Sequence, residues 1–166
     1  MKLLRDALLA PPDDWLLPRS LLNFILSISV SLALVAAVLG VGMMLGCFST
    51  PPESSDLEIS LLGLFGAVLF SPIVETLLLG GLLALLSLLR RSVPTTAVIS
   101  ACIWGGLHGL VAPFWFVGTV FGFFVFSCAY LTWRPKSFRH AFAAAALPHA
   151  MQNLVAFSLV CWTEGF

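Results

Sequence analysis

Long runs of apolar residues, each able to cross a lipid bilayer, constrain the fold of this sequence more than any other feature. The first runs from Leu21 to Cys47 without a charged residue, whereas about 20 apolar residues suffice to span the hydrocarbon core. Hydrophobic residues make up 60% of the chain and charged residues only 10%, and the mean hydropathy is +1.05. Such a chain cannot cover a soluble domain with polar surface, and its zero net charge argues against nucleic acid as a partner.

We therefore predict an all-α polytopic membrane protein with five transmembrane helices. Residues 1–20 contain prolines and aspartates that interrupt an apolar helix, so this N-terminal segment is predicted to lie at the membrane interface. Residues 21–47 form the predicted first helix, and a polar loop follows. Residues 59–162 form a four-helix core, with spans at about 59–89, 94–111, 114–133 and 140–162. Pro72 lacks an N–H and predicts a kink in the second span.

The distribution of charge predicts the orientation of these helices. With five spans, all eight lysines and arginines fall on one side of the membrane, at the N-terminus and in two of the loops. The opposite side carries only acidic residues. The positive-inside rule then predicts a cytoplasmic N-terminus and a C-terminus outside.

Away from the ends of the predicted spans, one carboxylate and two imidazoles remain, those of Glu75, His108 and His149. Counted from the basic side at the helical rise, they lie at depths of about 22, 21 and 15 Å. An intramembrane carboxylate costs at least about 2.5–3.5 kcal/mol on insertion scales, which favours a functional role for it. A single such group can also be structural, but three at similar depths on three helices predict one site.

Asn153 follows His149 by four residues and lies on the same helix face. In a mostly dry site, Glu75 with help from His108 can take a proton from water, and His149 and Asn153 can donate hydrogen bonds to an oxyanion. This scheme for peptide hydrolysis needs no cofactor. Three alternatives stay open: a structural polar clamp, a zinc site at Glu75, His108 and His149, and a proton relay in a transporter.

The order and spacing of these residues resemble the CPBP intramembrane proteases, also called the Abi or type II CAAX endopeptidase family. The first motif of that family reads roughly P-x-x-E-E-x-x-x-R-G and is similar to the segment SPIVETLLLGG. The second is an aromatic residue, three further residues and then His, and the third is H-x-x-x-N. The matching residues are Pro72, Glu75 and Gly81 in the first motif, Trp104 and His108 in the second, and His149 and Asn153 in the third.

The resemblance implies an intramembrane endopeptidase in the bacterial inner (cytoplasmic) membrane. It implies that Glu75 and His108 activate water and that His149 and Asn153 bind the oxyanion. The chain is short, like the myxosortase-like branch, which implies a membrane-anchored protein or a protein with a C-terminal sorting signal as the substrate. Lipid is then the other expected partner.

Three positions depart from the family pattern, because Thr76 stands in place of the second glutamate, Leu79 in place of the usual phenylalanine and Gly80 in place of the arginine. These departures leave open a catalytically degenerate scaffold or an immunity-type relative. Cys47 and Cys161 are both predicted near the outer face, where a disulfide is permitted.

Overall fold

The chain is described from a computed structural model, which covers residues 8–10, 15–47 and 59–163. The described residues contain no strand, and five helices are long and apolar enough to cross a membrane. The predicted all-α fold with five membrane-spanning helices is therefore confirmed. The helices are α1 (Leu16–Met44), α2 (Leu61–Ser87), α3 (Val93–Val111), α4 (Trp115–Trp133) and α5 (Phe138–Thr163).

The first helix begins at Leu16, five residues before the predicted boundary. Pro18 falls in its first turn, where the missing N–H has no intrahelical partner to lose, so the proline does not interrupt the helix. At the other end, Gly46 has a φ of 69° and Cys47 donates a backbone hydrogen bond to the Gly42 carbonyl. This Schellman motif ends the helix. The interfacial position predicted for residues 1–7 and 11–14 lies outside the described residues.

Helix α2 contains a wide π-helical turn at Gly66–Phe70, directly before Pro72. In this turn the backbone N–H of Ser71 donates to the Gly66 carbonyl, five residues back. An α-helical turn would press the proline ring against the carbonyl of Val68. Pro72 is thus accommodated by one widened turn, and such π turns are frequent at functional sites.

Glycines allow α3 and α4 to pack closely. A Cβ atom added at Gly105 would lie 3.2 Å from Phe116 and Val120, and one added at Gly109 would lie 3.2 Å from Phe116. Close approach at small residues is the usual way in which helices associate in a membrane. It places α4 at the centre of the bundle, where Phe123, Phe126 and other side chains of that helix are buried.

Helix α1 turns a polar face towards the bundle. Its buried side chains include Ser20, Asn23, Ser27 and Ser31, spaced three or four residues apart, while most of its leucines and isoleucines are exposed. Ser27 donates a 2.6 Å hydrogen bond to the side-chain oxygen of Gln152 on α5. Because lipid is as apolar as leucine, small and polar contacts of this kind hold transmembrane helices together.

The described basic side chains cluster at one end of the bundle. The connections at residues 88–92 and 134–137 lie at this end and carry Arg90, Arg91 and Arg134. Thr132, at the same end of α4, donates to the Leu8 carbonyl at 3.3 Å, so the N-terminal segment also reaches it. The charge asymmetry is therefore a property of the fold, while the compartment that this end faces stays a prediction.

All four cysteines are free thiols. The bond considered between Cys47 and Cys161 is not present in the structure.

Candidate active site

The centre of the candidate site is the carboxylate of Glu75. Its Oε2 atom lies 3.7 Å from Nε2 of His108 and 3.8 Å from Nε2 of His149. These residues belong to α2, α3 and α5, so the bundle brings together the three ionisable groups that the sequence places at similar depths. Both separations are too long for direct hydrogen bonds, yet they are short enough for one small molecule to contact all three groups.

Ser71 fixes the orientation of this carboxylate. It lies one helical turn before Glu75, and its hydroxyl donates a hydrogen bond to Oε1. The other oxygen, Oε2, is buried and has no hydrogen-bond partner among the described residues. The serine therefore occupies one carboxylate oxygen and leaves the second one directed at the two imidazoles.

The backbone of α3 determines which nitrogen of His108 faces the carboxylate. Nδ1 lies 2.9 Å from the carbonyl oxygen of Trp104. A carbonyl only accepts hydrogen bonds, so we assign the ring proton to Nδ1. In the neutral imidazole, Nε2 then carries a lone pair and faces Glu75, which is the arrangement of a proton acceptor.

Aromatic rings surround His149 and leave its side chain only 6% exposed. Phe126 stacks on the imidazole with a centroid distance of 4.9 Å, and Phe123 meets it edge-on at 5.4 Å. Phe123 also contacts His108 at 5.2 Å and stacks on Trp104 at 4.8 Å. One phenylalanine of α4 thus forms a common wall for both histidines.

The sequence did not single out Phe123 or Phe126. The chain contains 14 phenylalanines, and nothing in the spacing of these two distinguishes them from those that face lipid. Ser71 lies one helical turn before Glu75, and this spacing is the sequence signal for their contact.

Asn153 does not contact the carboxylate in this structure. Its side-chain nitrogen donates a 2.9 Å hydrogen bond to the carbonyl oxygen of Ala67, inside the π turn of α2. In the π pattern this carbonyl would accept from residue 72, but Pro72 has no N–H. The backbone N–H of Ser71 is already directed to Gly66. Asn153 therefore satisfies a carbonyl that the proline leaves without a backbone donor.

Two of the departures from the family motif, at Thr76 and Gly80, are tightly packed positions. Thr76 is 1% exposed, and its hydroxyl has no partner among the described residues. A Cβ atom added at Gly80 would lie 2.6 Å from the hydroxyl oxygen of Tyr130. Tyr130 thus fills the space into which any side chain at position 80 would project.

Within the described residues, no three His, Cys, Asp or Glu side chains are arranged to hold a metal ion. Coordination of zinc by Glu75, His108 and His149 stays an alternative hypothesis. The present contacts instead form a carboxylate–imidazole cluster in an apolar enclosure, which is suited to moving a proton to and from a small molecule. Comparisons of the chain with protein-family models, curated proteins and solved structures found no match.

Proposed function

We propose that this protein is an intramembrane endopeptidase that hydrolyses a peptide bond of a membrane-anchored protein. The observation that supports this most is the position of Glu75 Oε2, at 3.7 and 3.8 Å from two imidazole nitrogens within membrane-spanning helices. A carboxylate buried at this depth is costly and is a functional hypothesis by default. Two imidazoles beside it, one as a proton acceptor and one as a donor, make water activation the chemistry that this cluster fits best.

In the proposed first step, a water molecule lies beside Glu75 Oε2 and Nε2 of His108. Glu75 takes its proton while the water oxygen attacks the carbonyl carbon of the peptide bond. His108 assists because its Nδ1 proton is held by the Trp104 carbonyl, which leaves Nε2 as an acceptor. Ser71 assists by keeping Oε1 occupied.

In the second step, the tetrahedral intermediate collapses. Its negative oxygen accepts a hydrogen bond from Nε2 of His149, which the two phenylalanines hold in place. The C–N bond then breaks, and the proton on Glu75 passes to the leaving nitrogen, so that the products are a carboxylic acid and an amine. One preorganised oxyanion donor typically contributes about 3–4 kcal/mol in enzymes.

We assign a different task to Asn153. Because its amide nitrogen donates to the Ala67 carbonyl, it fixes the wide turn from which Ser71 and Glu75 follow. This makes it a positioning residue in the arrangement described here. The oxyanion role implied by the family resemblance requires that the amide leave Ala67 when substrate binds.

The site is partly accessible at two of its side chains, although Glu75 Oε2 itself is buried. The side chains of Glu75 and His108 are about one-fifth exposed, at 20% and 19%. The family resemblance suggests a substrate with a C-terminal sorting segment in the bacterial inner membrane. A transmembrane segment of such a substrate can approach the bundle laterally.

Thr76 and Gly80 favour a second candidate function, a catalytically degenerate scaffold or immunity-type relative. The family's glutamate and arginine are both absent, and Tyr130 occupies the space beside Gly80. A scaffold needs the packing of the site but not its proton chemistry. Proton-coupled transport is a third candidate, which would depend on the same ionisable groups and on an ion gradient.

The decisive experiment compares protein N-termini in membranes of source cells that lack the chain and are complemented with wild type or with Glu75→Gln. Glutamine keeps the shape of the side chain but cannot accept a proton from water. We expect N-termini that appear with wild type and are missing with Glu75→Gln, while both proteins insert in equal amounts. Identical N-termini in the two membranes would refute the protease.

His108→Gln provides a second test, and His140→Gln is its matched control. His140 lies near the start of α5, where its ring nitrogen contacts the Ser137 hydroxyl at 2.7 Å. We expect loss of cleavage from the first variant only. The scaffold is favoured if His108→Gln and His140→Gln both cleave normally and if Glu75→Gln loses a partner protein that binds the wild type. Proton uptake that depends on an ion gradient in vesicles would favour the transporter.

A further inference from the structure

A groove between α2 and α4 lies apart from the carboxylate–histidine cluster. It has a volume of about 270 Å³ and runs to the end of the bundle where the basic residues gather. We name it the α2–α4 groove and define it by Leu77, Gly80, Gly81, Tyr130, Leu131 and Arg134, which all line it.

The groove opens to the side, towards lipid. Leu77 is 50% exposed, Gly81 is exposed, and a Cβ atom added at Gly81 would meet no atom within 4 Å. Gly80, by contrast, is buried against the ring of Tyr130, which forms the floor of the groove. The pair of glycines therefore leaves a depression in the lipid-facing surface, where most neighbouring positions carry leucine.

One end of the groove is cationic. Arg134 directly follows α4, and its side chain is exposed. Within the described ranges Glu75 is the only carboxylate, and it faces the two histidines. Arg90 and Arg91 add positive charge at the same end of the bundle. The α2–α4 groove is thus apolar along its length and ends at the guanidinium of Arg134. This arrangement is complementary to an amphiphile with an acidic headgroup.

We propose that the α2–α4 groove binds an anionic phospholipid. The headgroup phosphate contacts Arg134, whose planar guanidinium suits two parallel hydrogen bonds to phosphate oxygens. One acyl chain follows the groove past Leu131 and Gly81. The volume is slightly below the roughly 300–1,000 Å³ of pockets that enclose a drug-sized ligand. The groove therefore accommodates part of one chain while the remainder of the lipid stays in the bilayer, and basic sites at membrane-facing helix ends commonly bind such lipids.

The test measures binding of single lipids to the purified full-length protein by native mass spectrometry, with phosphatidylglycerol and phosphatidylcholine as probes. We expect wild type to prefer phosphatidylglycerol, and Arg134→Gln to weaken that binding about fivefold, the effect of one basic residue at a membrane surface. Arg91→Gln is the matched control, because Arg91 is exposed at the same end and does not line the groove. Equal weakening by the two variants would refute a specific site.

A second variant tests the apolar part of the α2–α4 groove. Gly81→Leu fills open space and is expected to abolish the preference for phosphatidylglycerol without lowering the melting temperature of the lipid-free protein. Gly40→Leu is its control, since Gly40 is also exposed with nothing within 4 Å. Unchanged binding to Gly81→Leu would refute the proposal, as would inorganic phosphate binding as tightly as the lipid. Glu75→Gln is expected to bind lipid normally, which keeps this test separate from that of the proposed function.

Discussion

The hydrogen bond from Asn153 to the Ala67 carbonyl gives the most specific prediction about this fold. Ala67 needs a side-chain donor because Pro72 supplies no N–H to it and the N–H of Ser71 is directed to Gly66. If the proline is the cause, restoring an N–H at position 72 removes the need for the asparagine. The perturbation is therefore the pair Asn153→Ala and Pro72→Ala, studied singly and together.

The expected magnitudes follow from these contacts. A buried carbonyl left without a donor costs about 1–3 kcal/mol, and measured side-chain hydrogen bonds between membrane helices reach about 1.7 kcal/mol. We expect Asn153→Ala to lower the free energy of unfolding by about 1–1.5 kcal/mol in the natural sequence. With Pro72→Ala, residue 72 or Ser71 can donate to the Ala67 carbonyl, so the cost should fall by about 1 kcal/mol.

The assay is reversible unfolding of the purified protein in mixed micelles, with the four proteins compared in a double-mutant cycle. Pro94→Ala serves as the control proline, because Pro94 lies in the first turn of α3, away from the π turn. Its effect should add to that of Asn153→Ala within about 0.5 kcal/mol. An equal cost of Asn153→Ala with and without Pro72 would refute the explanation given for the π turn.

Three further predictions concern other contacts of the bundle. Ser71→Ala should slow substrate processing roughly tenfold, because the intramembrane carboxylate loses its orienting hydrogen bond. The rate is measured on a substrate that N-terminal mapping has identified, and Ser71→Thr should restore it. Gly80→Ala should destabilise the protein by about 1–3 kcal/mol in micelle unfolding, because the added methyl group overlaps Tyr130. Tyr130→Phe should relieve part of that cost. No destabilisation by Gly80→Ala would show that the tyrosine ring moves freely. Ser27→Ala should lower the free energy of unfolding by about 0.6 kcal/mol, because its hydrogen bond to Gln152 is lost. A larger loss from Ser158→Ala, a change at an exposed serine, would contradict this prediction.

The sequence predicted the five helices because lipid imposes a strict length and composition on each span. The depths of Glu75, His108 and His149 followed from counting residues, since an α-helix in a membrane rises uniformly. Their convergence on one carboxylate oxygen is consistent with that count. The five helices and the clustering of these three side chains were thus predictable, because both follow from the thickness of the bilayer.

The remaining features depend on contacts between helices, which no periodicity records. Asn153 shares a helix face with His149, yet its side-chain amide donates to the Ala67 carbonyl. That carbonyl is available only because of the π turn. The first helix begins earlier than predicted because a proline in the first turn is tolerated. Phe123 became part of the site through its position on α4, a helix with no charged residue or histidine to mark it.

The contact between Asn153 and Ala67 joins residues that are 86 positions apart in the chain, and His149 belongs to the same last helix. A protein that enters the bilayer in order of synthesis therefore carries its carboxylate on α2 while the imidazole and the amide of α5 are still in the ribosome or in transit. During this interval the nascent chain contains the acid but not its complete surroundings. The cluster around Glu75 is therefore complete only after the last helix has entered the bilayer, so its assembly reports that insertion is finished.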